Sequence, residues 1–144
     1  MRRLAVLLLG LCMALPVLAA DAAKAQRKEV FGDVTVHYSA FTSSMLQPAI
    51  ATANGLIRSK NQGVLTVSVL KGGKPDMAMV SGSVKDLTGR SSPLTFRQVG
   101  DPSGVSYLAQ FPIEQAQTLI FELTVASGGA SHSFSFNQEV FPGE

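Results

Sequence analysis

From Arg27 onward, apolar residues recur at every second position, the period of a strand with one buried face. Val30, Phe31, Val34, Val36 and Tyr38 form the first run, and Gly32-Asp33 interrupts it, which predicts a bulge. Val64 to Leu70 is a second run, rich in β-branched residues. Met77 to Val84 is a third, weakened by Gly82, and Leu94 to Val99 is a fourth. Val105, Tyr107, Ala109 and Phe111 share one face of a fifth. Leu119, Phe121, Leu123 and Val125 share one face of the strongest, and Phe134 and Phe136 mark the last. Turn signals separate the runs, among them Lys71-Gly72-Gly73-Lys74-Pro75, Asp101-Pro102-Ser103-Gly104 and Ser127-Gly128-Gly129. Ser43 to Leu56 departs from the pattern. There a short helix through Gln47 to Ala53 is expected, capped by Ser44 and ended by Asn54-Gly55. The chain therefore predicts an all-β fold: an immunoglobulin-like antiparallel β-sandwich of about seven strands, with one short helix between the first two. The Cys, Trp, Cys signature of antibody domains is missing, so the expectation is the sandwich architecture alone.

The first residues carry a different pattern. Arg2 and Arg3 precede an apolar stretch from Leu4 to Leu18, and Val17-Leu18-Ala19 supplies small residues where signal peptidase needs them. About fifteen apolar residues fall short of the roughly 20 that span a bilayer. Residues 1–19 are thus expected to be a cleavable signal peptide, 20–26 a flexible leader and 27–144 a single domain. The expected address is the periplasm, reached by the general secretory route, with no membrane span after cleavage.

Cleavage changes the charge and the thiol chemistry. The whole chain has 12 Lys+Arg and 10 Asp+Glu. Arg2 and Arg3 leave with the signal peptide, so the remaining basic and acidic residues balance. A broad positive field for nucleic acid is then absent. Cys12 is the one cysteine, and it leaves too, so the domain is held by its core without disulfides.

No catalytic constellation emerges, and the chain reads as a non-enzyme. Hydroxyl nucleophiles need a base, and the only histidines are His37 and His132. His37 alternates with Val36 and Tyr38 and is expected on the solvent side; His132 is expected at the sandwich rim. No Gly-x-Ser-x-Gly elbow is present. Glu122, between Phe121 and Leu123, is expected to face solvent. Copper favours Met and His, and Met77-Ala78-Met79 with Met45 and the two histidines is the one conceivable ligand set. It lacks a His-x-His step and any Met-rich run, so neither metal nor cofactor is implied. Lys71-Gly72-Gly73-Lys74 runs into Pro75 and a strand, which makes it a hairpin loop rather than a phosphate cradle. The remaining candidate is Arg58-Ser59-Lys60-Asn61, where two cations, a hydroxyl and an amide can converge on a carboxylate.

Three stretches give the chain a family likeness: Val36-His37-Tyr38-Ser39-Ala40-Phe41, Arg58-Ser59-Lys60-Asn61 and Leu65-Thr66-Val67-Ser68-Val69-Leu70. With Leu94-Thr95-Phe96-Arg97, Tyr107-Leu108-Ala109-Gln110-Phe111 and Phe136-Asn137-Gln138-Glu139-Val140-Phe141, the sequence resembles the proteobacterial family called domain of unknown function 4426. The resemblance implies a periplasmic sandwich of immunoglobulin type and carries over no catalytic residues. Gln47-Pro48-Ala49 and Ala53-Asn54-Gly55 depart from family members, which often have an acid and a tyrosine there.

The expected function is a non-enzymatic binding or protein-interaction module, with Arg58, Ser59, Lys60 and Asn61 as contacts to a periplasmic protein. A copper-binding protein and a small chaperone using an edge strand are the alternatives. Intact-mass measurement of the exported protein should give a chain beginning at Ala20; an uncut mass would contradict the signal-peptide reading.

Overall fold

The two-residue alternation appears as two distinct faces in every long strand. The computed structural model describes residues 27–101 and 104–143; the expected signal peptide and leader lie outside them. In chain order the elements are β1 (Arg27–Phe31), β2 (Val34–Thr42), a 3-10 turn (Ser43–Met45), α1 (Pro48–Ala53), β3 (Gln62–Lys71) and β4 (Lys74–Pro75). Then come β5 (Met79–Lys85), β6 (Ser91–Leu94), β7 (Arg97–Asp101), β8 (Gly104–Pro112), β9 (Gln117–Ser127) and β10 (Ala130–Val140). One sheet runs β1-β2-β3-β8-β7, with β4 paired to β3; the other runs β10-β9-β5-β6. Every pairing is antiparallel. The all-β sandwich expected from the sequence is the fold observed.

Two breaks refine the strand pattern. Gly32-Asp33 makes no bulge: Phe31 pairs with Val34, so these residues form a tight hairpin turn between β1 and β2. The expected run from Leu94 to Val99 is two strands in different sheets. β6 pairs with β5 and β7 pairs with β8. Leu94 is buried and Phe96 packs on the core as the chain crosses between the layers. The apolar phase shifts across the crossing: Leu94 and Phe96 point inward, but Val99 pairs with Ser106 on the outer face of the first sheet.

The core lies between the layers. Val36, Val67 and Val69 from one sheet meet Phe121, Leu123 and Val125 from the other, all essentially inaccessible. Aromatic rings tie the two layers together. Phe111 meets Phe121 edge to face at 5.0 Å, Phe121 stacks on Phe136 at 5.0 Å, and Tyr38 lies 4.3 Å from Phe136. The Arg27 guanidinium caps this column, 5.5 Å from the Tyr38 ring centre and 5.1 Å from that of Phe136. Burial raises the Tyr38 phenol above its ordinary pKa, and the Arg27 charge pulls against that shift.

A smaller apolar layer sits outside the first sheet. Ala51, Val64 and Leu108 are buried although they stand apart from the main core. Val64 and Leu108 face away from Leu65 and Ala109, toward the α1 crossover, which covers them. Ser44 does not cap this helix; Gln47 occupies the N-cap without a side-chain bond, and Pro48 supplies the helical φ of the first turn. The C-terminus follows expectation. Gly55 adopts φ 64°, and the Gly55 and Leu56 amides donate to Thr52 and Ala51 carbonyls, a Schellman ending that glycine permits.

Gly63 in β3 makes room for Phe111, since a Cβ at that position would overlap the Phe111 ring. Gly63→Ala should therefore destabilise the fold by about 1–3 kcal/mol through displacement of a core aromatic. Urea unfolding would register this as a lower midpoint, and an unchanged midpoint would contradict the packing argument.

Candidate functional site

The loop from α1 to β3 carries the Arg58-Ser59-Lys60-Asn61 cluster at one end of the sandwich. Its backbone is held from several sides. Ser43, in the 3-10 turn, is fully buried. Its hydroxyl accepts from the Ser59 amide at 2.9 Å and donates to the Ser59 carbonyl at 3.1 Å. One small side chain thus satisfies both backbone groups of a residue that lies outside any strand. The Ser59 hydroxyl accepts from the Asn61 amide at 3.1 Å, which shapes the turn into β3.

The neighbouring carbonyls receive two distant segments. Gly143 donates to the Lys60 carbonyl at 2.9 Å, and Ile113 donates to the Asn61 carbonyl at 2.8 Å. Gly143 packs so closely that a Cβ there would meet Ser44 and Thr42 side chains and the Lys60 Cα. Thr42 secures the same tail by donating to the Phe141 carbonyl at 2.9 Å. The loop is therefore a junction of the crossover, the end of β8 and the C-terminal tail.

Side chains of the cluster point outward from this junction. Arg58, Lys60 and Asn61 are exposed, and Ser59 is half-buried. Arg58 donates to the Ser44 carbonyl at 3.0 Å, which leaves the rest of its guanidinium on the surface. Of the predicted contact residues, Ser59 is committed to backbone structure, whereas Arg58, Lys60 and Asn61 present free polar surface.

Sequence reasoning missed three residues that position this region. Ser43 is one. Gln110, on β8, donates to the Ile57 carbonyl at 3.0 Å and accepts from its amide at 3.4 Å. Arg97, on β7, donates to the Asn54 carbonyl at 2.7 Å and the Gly55 carbonyl at 3.3 Å, which satisfies the end of α1. Polar residues on strands normally indicate a solvent face, so nothing in their pattern marks them as supports for a crossover.

The other candidate chemistry is dispersed. His37 lies on the outer face of the first sheet, paired with Lys28 and Ser68. His132 lies opposite Val125 on the inner face of the second sheet, its ring stacked 4.6 Å from that of Phe31. The first sheet separates the two histidines. Met79 stands on the outer face of the second sheet and is 79% exposed; Met45, at 75%, lies on the crossover. The residues considered for copper are thus spread over the outer face of the first sheet, both faces of the second and the crossover, with Met77 exposed between β4 and β5. Among the described residues no group of three His, Cys, Asp or Glu side chains is placed to hold a metal ion. Glu122 is exposed as expected and pairs with Lys85 at 3.3 Å.

A cleft of about 120 Å³ opens at the junction of β5, β6 and β9, beside Lys85, Asp86, Arg90 and Glu114. Asp86 is occupied: its carboxylate accepts from the Thr88 hydroxyl and from the Thr88 and Arg90 amides. The Thr88 hydroxyl bond is the largest cause that lowers its pKa. Held as an anion inside its own turn, it is poorly suited to proton transfer.

Fold and surface together define a small immunoglobulin-like sandwich whose polar residues mostly support backbone. The chain belongs to the DUF4426 family, a domain of unknown function, whose family model matches residues 28–143. A DUF4426 family protein from Pseudomonas aeruginosa, known from a crystal structure, is 49% identical with a TM-score of 0.77. That match covers 85% of this chain and 99% of the other. A copper-bound variant of FetP from uropathogenic Escherichia coli shares the fold at 12% identity and a TM-score of 0.60, over 83% of this chain and 97% of that one. FetP as isolated, after expression in the E. coli periplasm, gives the same identity and TM-score over 81% and 94% of the two chains. No curated protein matches. No helix among the described residues is long and apolar enough to cross a membrane.

Ser43→Ala should cost about 1–3 kcal/mol, because the half-buried Ser59 amide and carbonyl lose their partner. Hydrogen exchange should show the Ser59 amide opening faster than in the parent protein; unchanged protection there would refute the junction.

Proposed function

We propose that the protein is an exported, non-enzymatic binding module that engages an acidic protein segment in the periplasm through Arg58, Lys60 and Asn61. The observation that carries this reading is the contrast between a fixed backbone and free side chains in one loop. Three chain segments immobilise residues 58–61 by hydrogen bonds, yet both cations and the amide remain exposed. A contact surface ordered in advance loses little entropy on binding. Guanidinium and ammonium groups a few residues apart suit carboxylates, with Arg able to pair in a bidentate manner. Ser59 serves as the pivot of the loop.

Export rests on the pattern of residues 1–19. The copper-carrier alternative asks His37, His132 and the methionines to act together, and their wide separation favours the binding module instead.

Cross-linking in intact periplasm tests the proposal. The parent protein should give a discrete adduct that rising salt weakens. Replacing Arg58 and Lys60 together by alanine should lower affinity for the cross-linked partner about tenfold, equivalent to about 1.4 kcal/mol. Adducts identical in identity and salt dependence for parent and double variant would rule out this surface.

A further inference from the structure

Four strands form the lateral edges of the two sheets, and three of them carry features that discourage pairing with another chain. β1 places Arg27, Lys28 and Glu29 in succession within five residues. β6 has four residues, and one is Pro93, which lacks a backbone donor. β7 is also short, with Arg97 at its start and Asp101 at its end.

β10 has none of these devices before Glu139, its next-to-last residue. At eleven residues it equals β9 as the longest strand. Its register with β9 is unbroken from Ala130 opposite Ser127 to Val140 opposite Gln117, so no bulge twists the edge away. Residues 130–138 contain no Asp, Glu, Lys, Arg or Pro. Among the described residues, no strand pairs with its outer side. Across that margin Arg27 donates to the Asn137 carbonyl at 2.8 Å and reaches the Gln138 side chain, and the Phe31 ring packs on His132 and Phe134 from the inner side; among the described residues the outward backbone groups of 131–135 have no partner.

We infer that the β10 edge is a self-association surface, and that its occupant is β10 of a second copy in antiparallel pairing centred on Ser133. The segment Ser131-His132-Ser133-Phe134-Ser135 is chemically self-complementary under a two-fold axis. Ser133 meets its own counterpart, Ser131 meets Ser135, and His132 meets Phe134. Hydroxyls then share the outer face, and aromatic rings share the inner one, a favourable cross-strand combination. No two like charges face each other. The pairing stops short of Asn137, so the Arg27 contact stays in place. It would join the two four-stranded sheets into one continuous sheet. A foreign extended peptide would need the same backbone groups, but residues 131–135 themselves carry no charged side chain to select its sequence, whereas a second copy matches along the whole segment.

Sedimentation velocity on the purified protein across a concentration series tests the inference. The parent chain should move from monomer to dimer as concentration rises. Ser133→Lys places like charges opposite one another at the axis and should abolish the dimer. Ser81→Lys, exposed on the outer face of β5 and away from the edge, should leave it intact. Circular dichroism would confirm that both variants fold. Hydrogen exchange on the unaltered protein provides a second readout: amide protection at residues 131–135 should rise with concentration. A monomer at every concentration, a dimer insensitive to Ser133→Lys, or concentration-independent exchange at 131–135 would each overturn the inference.

Discussion

Two β-layers without a covalent tie need another link across the core, and here aromatic contact provides it. Phe111, Phe121, Phe136 and Tyr38 form a column in which the paired Phe121 and Phe136 of the second sheet are flanked by Phe111 and Tyr38 of the first. Each such pair contributes about 0.5–1.5 kcal/mol beyond the burial of its area. The two pairs that cross between the layers together contribute about 1–3 kcal/mol, which overlaps the low end of one disulfide, about 2–4 kcal/mol. The column also governs local sequence. β3 accepts Gly63 because Phe111 occupies the space of a side chain there. Arg27 begins β1 where its guanidinium can cover Tyr38 and Phe136. The first strand is thereby bound to the last across the gap between the sheets.

The crossover between β2 and β3 depends on a different interaction, the satisfaction of backbone groups by side chains. A helix of six residues gains little from its own hydrogen bonds. Its stability comes from the surface it covers and the bonds around it. Ala51 settles over Val64 and Leu108, and Arg97, Gln110 and Ser43 meet the carbonyls and amides that would otherwise lack partners. The polar residues of this region therefore serve positioning first. Arg58, Lys60 and Asn61 stand out because their side chains remain on the surface while the backbone of their loop is tied by hydrogen bonds.

Much of this architecture was legible in the chain. The alternation in β2, β8 and β9 identified inward residues such as Val36, Tyr107 and Phe121, all of which are buried. Asn54-Gly55 announced the end of α1. Alternation reports which face a residue occupies but not which sheet, so the phase break between Phe96 and Val99 did not by itself reveal the passage from β6 to β7. Ser44 looked like a helix cap, but its neighbour Ser43 makes the decisive bonds, and they reach sixteen residues along the chain to Ser59. Gln110 and Arg97 are invisible for the same reason. A side chain that supports a distant backbone has no local periodicity. The Arg58 to Asn61 cluster was visible as composition, while its rigidity arises from Ile113 and Gly143, far away in sequence.

The bond from Gly143 to the Lys60 carbonyl has a practical consequence for work with this protein. The C-terminal tail and the basic loop behave as one mechanical piece, so anything fused beyond Gly143 emerges beside Arg58 and Lys60. A fluorescent label or affinity handle at that end would shade the surface under study and pull on the loop that displays it. Arg27, where the described chain begins, lies instead against β10. The choice of terminus thus selects which of the two surfaces an assay leaves unobstructed.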